Sequence, residues 1–295
     1  MVKTSLAIIG SKHYKKSTVR SLIEEGKKLF DRVTFAPLPK VRVVFESSEA
    51  KLLYKGKNLL NYNVCYPRFS SKDYVLGEVI LKVLDGSKVY CPVNLHSYQV
   101  TNHKYYTIKE LSNAKIPIVK SSLFINPESA KQTLKEFGMP FVVKVLSGFA
   151  GKGVILVENE KQLNSILDTV HLFDEFLSVQ KFVKGKNSDI RCYVIGNNVT
   201  AVRRTGKQGE WRANVSRGGT AAELTPTKEM KKIALDSARL LKMDICAVDL
   251  IESSSGLGVI EINFMPGPFK KYLGNTITKK MVKFLHTKAW KQKNP

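Results

Sequence analysis

DICAVDLIESSSGLGVIEIN, residues 244–263, consists of two apolar strands joined by a Ser/Gly turn, with three polar residues set among the apolar ones. A hairpin that closes around Ser255 places Asp249 opposite Glu261. Because side chains alternate between the two faces of a strand, Asn263 falls on the same face as both acids. The stretch therefore predicts a sheet that presents two carboxylates and an amide together.

The two faces of this predicted hairpin differ in polarity. The face away from the acids is wholly apolar and consists of Cys246, Val248, Leu250, Ile260, Ile262 and Phe264. Burial of that face would hold three oxygen ligands on the opposite one, and such ligands suit Mg²⁺ or Mn²⁺, usually shared with substrate phosphates. The alternative is an ordinary amphipathic hairpin with a solvated polar face. Solvated faces carry mostly Lys, Thr and Ser, whereas Ala247, Ile251 and Val259 flank the acids here, so we favour a metal site.

The chain is strongly basic. Its 295 residues include 48 Lys and Arg against 25 Asp and Glu, which gives a formal net charge of +23 and a pI near 9.8. Such a field attracts anions. The partner is either RNA or an anionic surface bound without specificity, or an acidic substrate such as a polyphosphate, a poly-glutamate chain or an acidic carrier protein. The basic residues are dispersed and no RNP, KH, zinc-finger or helix-turn-helix signature is present, which argues against dedicated nucleic-acid binding.

The sequence predicts no targeting segment, no disulfide framework and no zinc site. The N-terminal apolar run is too short for a signal peptide or membrane helix, and no later window has membrane-spanning length, so a soluble cytoplasmic protein is expected. The Lys-rich stretch 279–295 is interpreted as a solvated terminus, with a weak docking arm as the alternative. Four scattered cysteines without CxxC pairing are interpreted as small hydrophobes in strands.

Apolar and helical periodicities alternate along the chain. Up to about residue 94 their βαβ order predicts a small open α/β sheet. A second α+β unit begins near residue 100, with a helix that runs to residue 116, a strand over 118–125 and a helix over 127–138. A hairpin over 188–206 and a helix over 227–243 then lead into the metal hairpin.

The loop SGFAGKG follows the apolar run FVVKVL. Gly148, Gly151 and Gly153 let backbone N–H groups approach an anion closely, and Lys152 adds a positive charge. The GxxxxGK[ST] pattern is absent and a strand follows, so the loop predicts a flap over phosphates and not a Walker A loop, with a simple Gly-rich turn as the alternative. Lys144 lies inside the apolar run, and because a buried lysine needs an anionic partner, a nucleotide phosphate is the natural candidate.

Downstream residues could complete such a site. The apolar segment 179–183, VQKFV, could form the edge against which an adenine ring stacks, or it could be a plain core strand. Asp189 and Arg191 alternate in sequence and point to one face, and Arg203 and Arg212 would join them if their strand and loop fold back on the site. Any one of these residues by itself would be interpreted as a member of a surface ion pair. Together they could supply the cations that anionic intermediates need in a water-poor cleft.

Taken in order, these motifs resemble those of the ATP-grasp ligases, and within that superfamily the RimK-like glutamate ligases. The resemblance spans nearly the whole chain. The matching pieces are CYPR at 65–68, HKYYT at 103–107, FVVK at 141–144, SGFAGKGV at 147–154, VQKFV at 179–183, DIRCYVIG at 189–196, RRTGKQGEWRANVSRGG at 203–219, AVDL at 247–250 and EINFMPGP at 261–268. The DIR, EWRAN…RGG and EIN…PG strings together are highly specific.

The resemblance implies a fold and a domain order. The fold class is α/β (α+β), with an ATP-grasp fold in three parts. These are an N-terminal pre-ATP-grasp α/β domain at 1–95, a central lid domain with the glycine flap at 96–183, and a C-terminal metal-binding domain at 184–295. ATP would lie between the last two.

The resemblance also implies a role for each candidate residue. Lysines would bind the nucleotide phosphates, the flap would close over them, backbone groups at 181 and 183 would contact adenine, and Asp189 would meet the ribose. The implied nucleotide-binding residues are Lys104, Lys144, Gly148, Gly151, Lys152, Gly153, Lys181, Val183, Asp189 and Arg191. The implied ligands of two Mg²⁺ or Mn²⁺ ions are Asp249, Glu261 and Asn263. The candidates for contact with the acyl-phosphate and substrate are Arg203, Arg212 and Asn214.

Enzymes of this kind use the γ-phosphate of ATP to convert a carboxylate into an acyl-phosphate, which an amine then attacks. Glutamate is the expected amine, and the charge of +23 suits an acidic acceptor, either a protein or a small-molecule carboxylate. Relatives are often dimers or tetramers, and no membrane partner is expected. Two alternatives stay open: an ATP-grasp-type kinase of a polyanionic alcohol, and a non-catalytic module that binds RNA or an acidic protein.

Two positions depart from the family pattern. Lys181 stands where the hinge usually carries an acidic residue, so only the backbone contact is carried over. Phe264 and Met265 stand before Pro266 where relatives have small residues. The pocket for the amine or the carboxylate is therefore expected to be reshaped.

Overall fold

The computed structural model describes residues 3–12, 16–47, 49–124, 127–145, 153–171, 177–183, 187–207, 209, 213, 218–267 and 270–293. The N-terminal part contains a parallel sheet and a small antiparallel one. The elements are β1 Ser5–Gly10, α1 Lys16–Gly26, β2 Arg32–Pro37, β3 Arg42–Phe45, β4 Ala50–Tyr54, β5 Lys57–Asn58, β6 Val64–Arg68 and α2 Tyr74–Asp85. The parallel sheet has the order β2-β1-β6, and β3, β4 and β5 pair antiparallel. This part confirms the predicted open α/β sheet.

The middle of the chain forms a four-stranded antiparallel sheet with the order β7-β10-β8-β9. The elements are α3 Leu95–Asn102, α4 Lys104–Asn113, β7 Ser121–Phe124, α5 Pro127–Phe137, β8 Phe141–Val145, β9 Val154–Val157, α6 Glu160–His171 and β10 Leu177–Lys181. The helix predicted to run to residue 116 is present as α4, which ends earlier, at Asn113, and the extended His103 separates it from α3.

The C-terminal part forms a five-stranded antiparallel sheet with the order β13-β12-β11-β14-β15. The elements are β11 Ser188–Ile195, β12 Asn198–Thr205, β13 Thr220–Leu224, α7 Lys228–Leu240, β14 Ile245–Ser253, β15 Gly256–Asn263, α8 Lys270–Leu273 and α9 Thr276–Lys293. The predicted domain boundaries at 95 and 183 fall between the two N-terminal sheets, the four-stranded sheet and the five-stranded sheet. The division into domains itself stays a prediction.

One face of the five-stranded sheet is buried under α7. Met230, Ile233 and Ala234 of the helix pack on Cys246 and Val248 of β14. The predicted helix over 227–243 is present as α7, and the predicted buried face of the hairpin is confirmed except at Ile260. That burial leaves the opposite face of the sheet to carry the polar side chains.

The pairing of β14 with β15 confirms that Asp249 lies opposite Glu261, but a β-bulge follows at once. Leu250 pairs with Val259, so Val259 enters the core beneath α7 and takes the place predicted for Ile260. The expectation that Val259 flanks the acids is therefore wrong. A bulge adds an unpaired residue and shifts the alternation of faces along one strand.

The Lys-rich terminal stretch is not a solvated tail. Its residues 279–293 belong to α9, whose side chains at helical spacing are fully buried: Ile277, Met281, Leu285 and Ala289. They pack in one cluster with Leu6 and Ile8 of β1 and with Tyr193 of β11. The lysines lie between these apolar positions, and their number conceals the stripe. The helix thus packs against both the N-terminal sheet and the five-stranded sheet.

None of the helices in the described ranges combines the length and apolarity that crossing a membrane requires.

Candidate nucleotide and metal site

The polar face of the five-stranded sheet carries charged side chains from four adjacent strands. Arg191 of β11 pairs with Asp249 of β14, and Asp249 pairs with Glu261 of β15. On the other side, Asp189 of β11 pairs with Arg204 of β12. Because cross-strand partners share a face, the register alone brings these side chains together.

Asp249 is the centre of this group and is 2% exposed. Arg191 binds it in a bidentate manner, with Nε 2.7 Å from Oδ1 and Nη2 2.6 Å from Oδ2, and Nη2 of Arg204 lies 3.0 Å from Oδ2. Burial by itself raises the pKa of Asp249, but the two guanidiniums outweigh burial and lower it to about 2. The carboxylate of Asp249 is therefore ionised at neutral pH.

Arg204 is a site residue that the sequence analysis missed. Its Nη2 lies 2.6 Å from Oδ2 of Asp189, so it bridges Asp189 and Asp249. The predicted candidate Arg203 lies on the other face, where it pairs with Glu252 at 2.7 Å. The structure does not bring Arg203 to the acids, and its predicted contact with substrate stays a prediction that this geometry does not support. The signal that identifies Arg204 is its cross-strand position opposite Asp189.

Asp249, Glu261 and Asn263 converge as the hairpin predicted. The Nδ2 atom of Asn263 lies 3.2 Å from Oε1 of Glu261 and 3.4 Å from Oδ2 of Asp249. Two carboxylates and an amide within hydrogen-bond distance of one another form an oxygen-rich donor set, since rotation of the amide presents its carbonyl oxygen in place of the NH₂ group. Such a set fits Mg²⁺ or Mn²⁺. Among the described residues, no group of three or more His, Cys, Asp and Glu side chains could hold a metal ion.

Lys144 extends from β8 of the four-stranded sheet toward the same space. Its half-buried ammonium group donates a hydrogen bond to Oε1 of Gln180 at 2.7 Å. Burial lowers the pKa of Lys144 to about 8, with Lys104 lowering it further and the negative charges of Glu261 and Asp249 acting in the opposite direction. These four charged groups are therefore electrostatically coupled across the space between the two sheets.

Three further candidates lie at the start of α4 and at the end of β10. Lys104 begins α4, next to the four-stranded sheet, where Tyr105 donates a hydrogen bond to the carbonyl of Ser122 at 2.8 Å. The backbone N–H of Lys181 donates to the carbonyl of Lys120 at 2.8 Å, and Val183 follows β10. With that N–H engaged, the carbonyl is the backbone group of Lys181 suited to contact a base.

Several predicted residues fall outside the described part of the chain. They are Gly148, Gly151 and Lys152 of the flap, together with Arg212 and Asn214. Gly153, at the end of the flap, is described and has a φ of +71°, a conformation that favours glycine.

Phe264 and Met265 join the metal strand to the N-terminal part of the chain. The Phe264 ring meets the edge of Tyr98 with 5.0 Å between centroids, and Met265 is buried in the N-terminal core. Arg68 donates to the carbonyls of Met265 at 3.2 Å and Pro266 at 2.9 Å. The two large residues thus anchor the segment that follows Asn263.

The sequence of this chain matches a known protein family and several relatives. Residues 101–285 match the family described as the RimK-like ATP-grasp domain. A probable alpha-L-glutamate ligase of Histophilus somni strain 2336 is 35% identical over 211 residues, which cover 71% of each chain. A probable alpha-L-glutamate ligase of Haemophilus influenzae is 31% identical over 249 residues, which cover 83% of this chain and 81% of that protein.

Solved structures share the fold along nearly the whole chain. The ATP-grasp ligase PsnB complexed with its minimal precursor superposes with a TM-score of 0.77 at 17% identity, covering 97% of this chain and 100% of that one. The D-alanine–D-alanine ligase of Bacillus anthracis complexed with ATP superposes with a TM-score of 0.69 at 16% identity, covering 99% of each chain. The resemblance carried by the sequence motifs is confirmed. The chain belongs to the RimK-like ATP-grasp family and is an ATP-dependent ligase.

Proposed function

We propose that this protein forms an amide bond between the carboxylate of an acidic acceptor and the amino group of glutamate, with ATP converted to ADP and phosphate. The observation that carries the proposal is the convergence of Asp249, Glu261 and Asn263 opposite Lys144. An oxygen-rich face on one side of a space and a lysine on the other support phosphoryl transfer there. The relatives named as glutamate ligases support glutamate as the amine.

The residues divide into three groups by role. Lys144 and Lys104 neutralise the nucleotide phosphates, the backbone at Lys181 and Val183 holds the base, and Asp189 holds the ribose. Asp249, Glu261 and Asn263 would hold one or two Mg²⁺ or Mn²⁺ ions, which supply charge neutralisation when bound. Arg191 and Arg204 keep Asp249 ionised and fixed in position.

The reaction proceeds in two steps. An oxygen of the acceptor carboxylate attacks the γ-phosphorus of ATP, ADP leaves, and an acyl-phosphate forms. The glutamate amine, having lost a proton, then attacks the carbonyl carbon, and phosphate leaves with its bonding electron pair. Fixed cations beside these groups lower both barriers because both transition states are anionic. Arg212 and Asn214 are proposed to contact the acyl-phosphate.

The acceptor is proposed to be acidic because the chain carries a formal charge of +23. Long-range attraction raises the rate at which an anionic partner encounters the site. Poly-L-glutamate and a peptide that ends in glutamate are suitable probes of this class.

The test is release of ADP from ATP and Mg²⁺ with each amino acid in turn, in the presence and absence of poly-L-glutamate or a cell extract. We expect ADP and phosphate in equal amounts only when glutamate and an acceptor are both present, with AMP absent. Glu252→Gln, on the opposite face of β14, is the matched control that should retain activity.

Formation of ADP with polyphosphorylated alcohols and without any amino acid would refute the ligase proposal in favour of the kinase alternative. Release of AMP would refute the acyl-phosphate step.

A further inference from the structure

The four-stranded sheet has one apolar and one polar face. Phe141, Val143 and Val179 point to the apolar face and form a core with helices α5 and α6. Residues in alternate positions point to the polar face and include Lys144, Gln180 and Ser121, one on each of three adjacent strands. The apolar core stabilises the sheet without help from these three polar side chains.

Three hydrogen bonds connect the polar side chains in series. The ammonium group of Lys144 donates to Oε1 of Gln180 at 2.7 Å, Nε2 of Gln180 donates to Oγ of Ser121 at 3.2 Å, and Oγ of Ser121 donates to the carbonyl of Val119 at 2.8 Å. Gln180 is 8% exposed, so water has little access to this chain of contacts.

The direction of each hydrogen bond follows from the chemistry of the groups. A charged lysine can only donate, so the group of Gln180 that faces it must be the carbonyl oxygen. The NH₂ group then faces Ser121, whose oxygen accepts because its own proton goes to Val119. The amide of Gln180 therefore has a single orientation that satisfies all its partners.

The series continues to the strand that carries the metal ligands. The N–H of Val119 donates to the carbonyl of Val259 at 3.2 Å, and the N–H of Val259 donates to the carbonyl of Pro117 at 2.9 Å. Val259 lies two residues before Glu261 on β15. These hydrogen bonds, together with the backbone of Val119, thus link the ammonium group of Lys144 to the backbone beside a predicted metal ligand.

We infer that Gln180 is a positioning residue, which orients the ammonium group of Lys144 toward the nucleotide phosphates and fixes it relative to the metal strand. The inference rests on the proposed role of Lys144 in binding phosphate. A neutral amide is suited to this task because it orients the ammonium group without neutralising its charge. A carboxylate in the same place would form an ion pair and compete with the phosphate for the lysine.

The experiment is a double-mutant cycle that combines Gln180→Met with Lys144→Met, with dissociation constants measured for ATP and for adenosine in the presence of Mg²⁺. Met resembles Gln in size and cannot accept the hydrogen bond from the lysine. We expect Gln180→Met to weaken ATP binding by about tenfold, the effect of one hydrogen bond to a charged group. Adenosine binding should change by less than about twofold, since adenosine has no phosphate for Lys144 to contact.

In the Lys144→Met background, Gln180→Met should cause no further loss of ATP affinity, because the group that it positions is absent. Ser121→Ala should weaken ATP binding by a smaller factor, about threefold, since it frees the amide to rotate. Ser122→Ala on the next residue of β7 and Gln162→Met at the start of α6 are the matched controls, and both should bind ATP as the wild type does. Thermal melting of each variant establishes that the fold is retained.

Four outcomes would overturn the inference or its basis. Equal losses for adenosine and ATP in Gln180→Met would mean that Gln180 contacts the purine directly. Additive losses in the double mutant would mean that Gln180 acts independently of Lys144. Wild-type ATP affinity in Lys144→Met would refute the phosphate-binding role of Lys144, whereas a large loss there with normal affinity in Gln180→Met would refute only the positioning role.

Discussion

The two sheets on either side of the site differ in the partners that they provide for a charged side chain. In the five-stranded sheet, Asp249 is surrounded by Arg191 and Arg204, and opposite charges compensate one another. In the four-stranded sheet, Lys144 donates to the neutral amide of Gln180, and the described residues place no carboxylate within ion-pair distance of it. Burial therefore lowers the pKa of Lys144 to about 8, whereas the ion pairs lower that of Asp249 to about 2.

The difference shows how a site can be both stable and reactive. Compensated charge on one side fixes the geometry of the predicted metal ligands before any ligand arrives. On the other side, the charge of Lys144 forms no ion pair with a described carboxylate and is available to the phosphates. Mutations on the two sides should consequently affect stability and binding to different extents.

Asp249→Ala should produce the largest effect, because it removes a predicted metal ligand and leaves two buried arginines without their carboxylate. We expect a loss of about 3–5 kcal/mol in the free energy of unfolding, measured by urea denaturation, together with loss of ADP formation. Asp236→Ala on the exposed side of α7, which breaks the surface pair with Lys232, should cost less than about 1 kcal/mol. An Asp249→Ala protein as stable as the wild type would show that the arginines do not depend on this carboxylate.

Glu261→Gln should separate catalysis from stability. Glu261 is half-buried and its described hydrogen bond is to Asn263 and not to an arginine, so the fold does not depend on its charge. We expect ADP formation to fall on the order of a hundredfold or more while the melting temperature stays within a few degrees of the wild type. Retention of full activity in this variant would contradict the assignment of Glu261 to the metal site.

Lys144→Met should weaken ATP binding by roughly 10- to 100-fold without loss of stability, since it removes a charge that burial makes unfavourable in the free protein. Isothermal titration with ATP and Mg²⁺ measures the affinity, and thermal melting measures the stability. Lys135→Met, at an exposed position of α5, is the control for loss of one positive charge. Equal affinities in the two variants would mean that Lys144 only adds to the general positive field.

The pH dependence of ATP binding should show the smallest effect. The free protein loses the proton of Lys144 above a pKa of about 8, and the phosphates prefer the charged form, so affinity should fall above pH 8 by at most about tenfold per pH unit. Lys144→Arg keeps its charge throughout this range and should show a flatter profile between pH 8 and 9.5. Parallel profiles for the two proteins would exclude titration of Lys144 as the cause.

The sequence predicted the fold class, the family and the pairing of Asp249 with Glu261, because these depend on local periodicity and on motifs that are contiguous in the chain. It misplaced Val259, since the bulge beside Asp249 reverses the faces and leaves no mark in the apolar pattern. It chose Arg203 over Arg204, since adjacent arginines differ only in the face to which the register turns them. It missed the buried stripe of α9 because lysines are interspersed with the apolar residues of that helix.

What the sequence determined by itself is the set of chemical groups: two carboxylates, an amide and the lysines, at spacings that a strand or a helix converts into a shared face. What only the tertiary structure decided is the hydrogen-bond or ion-pair partner of each group. Asp249 is held by two arginines from neighbouring strands, and Lys144 by Gln180, 36 residues away. Such pairings depend on strand order and register, which arise from packing across the whole chain and not from any local pattern.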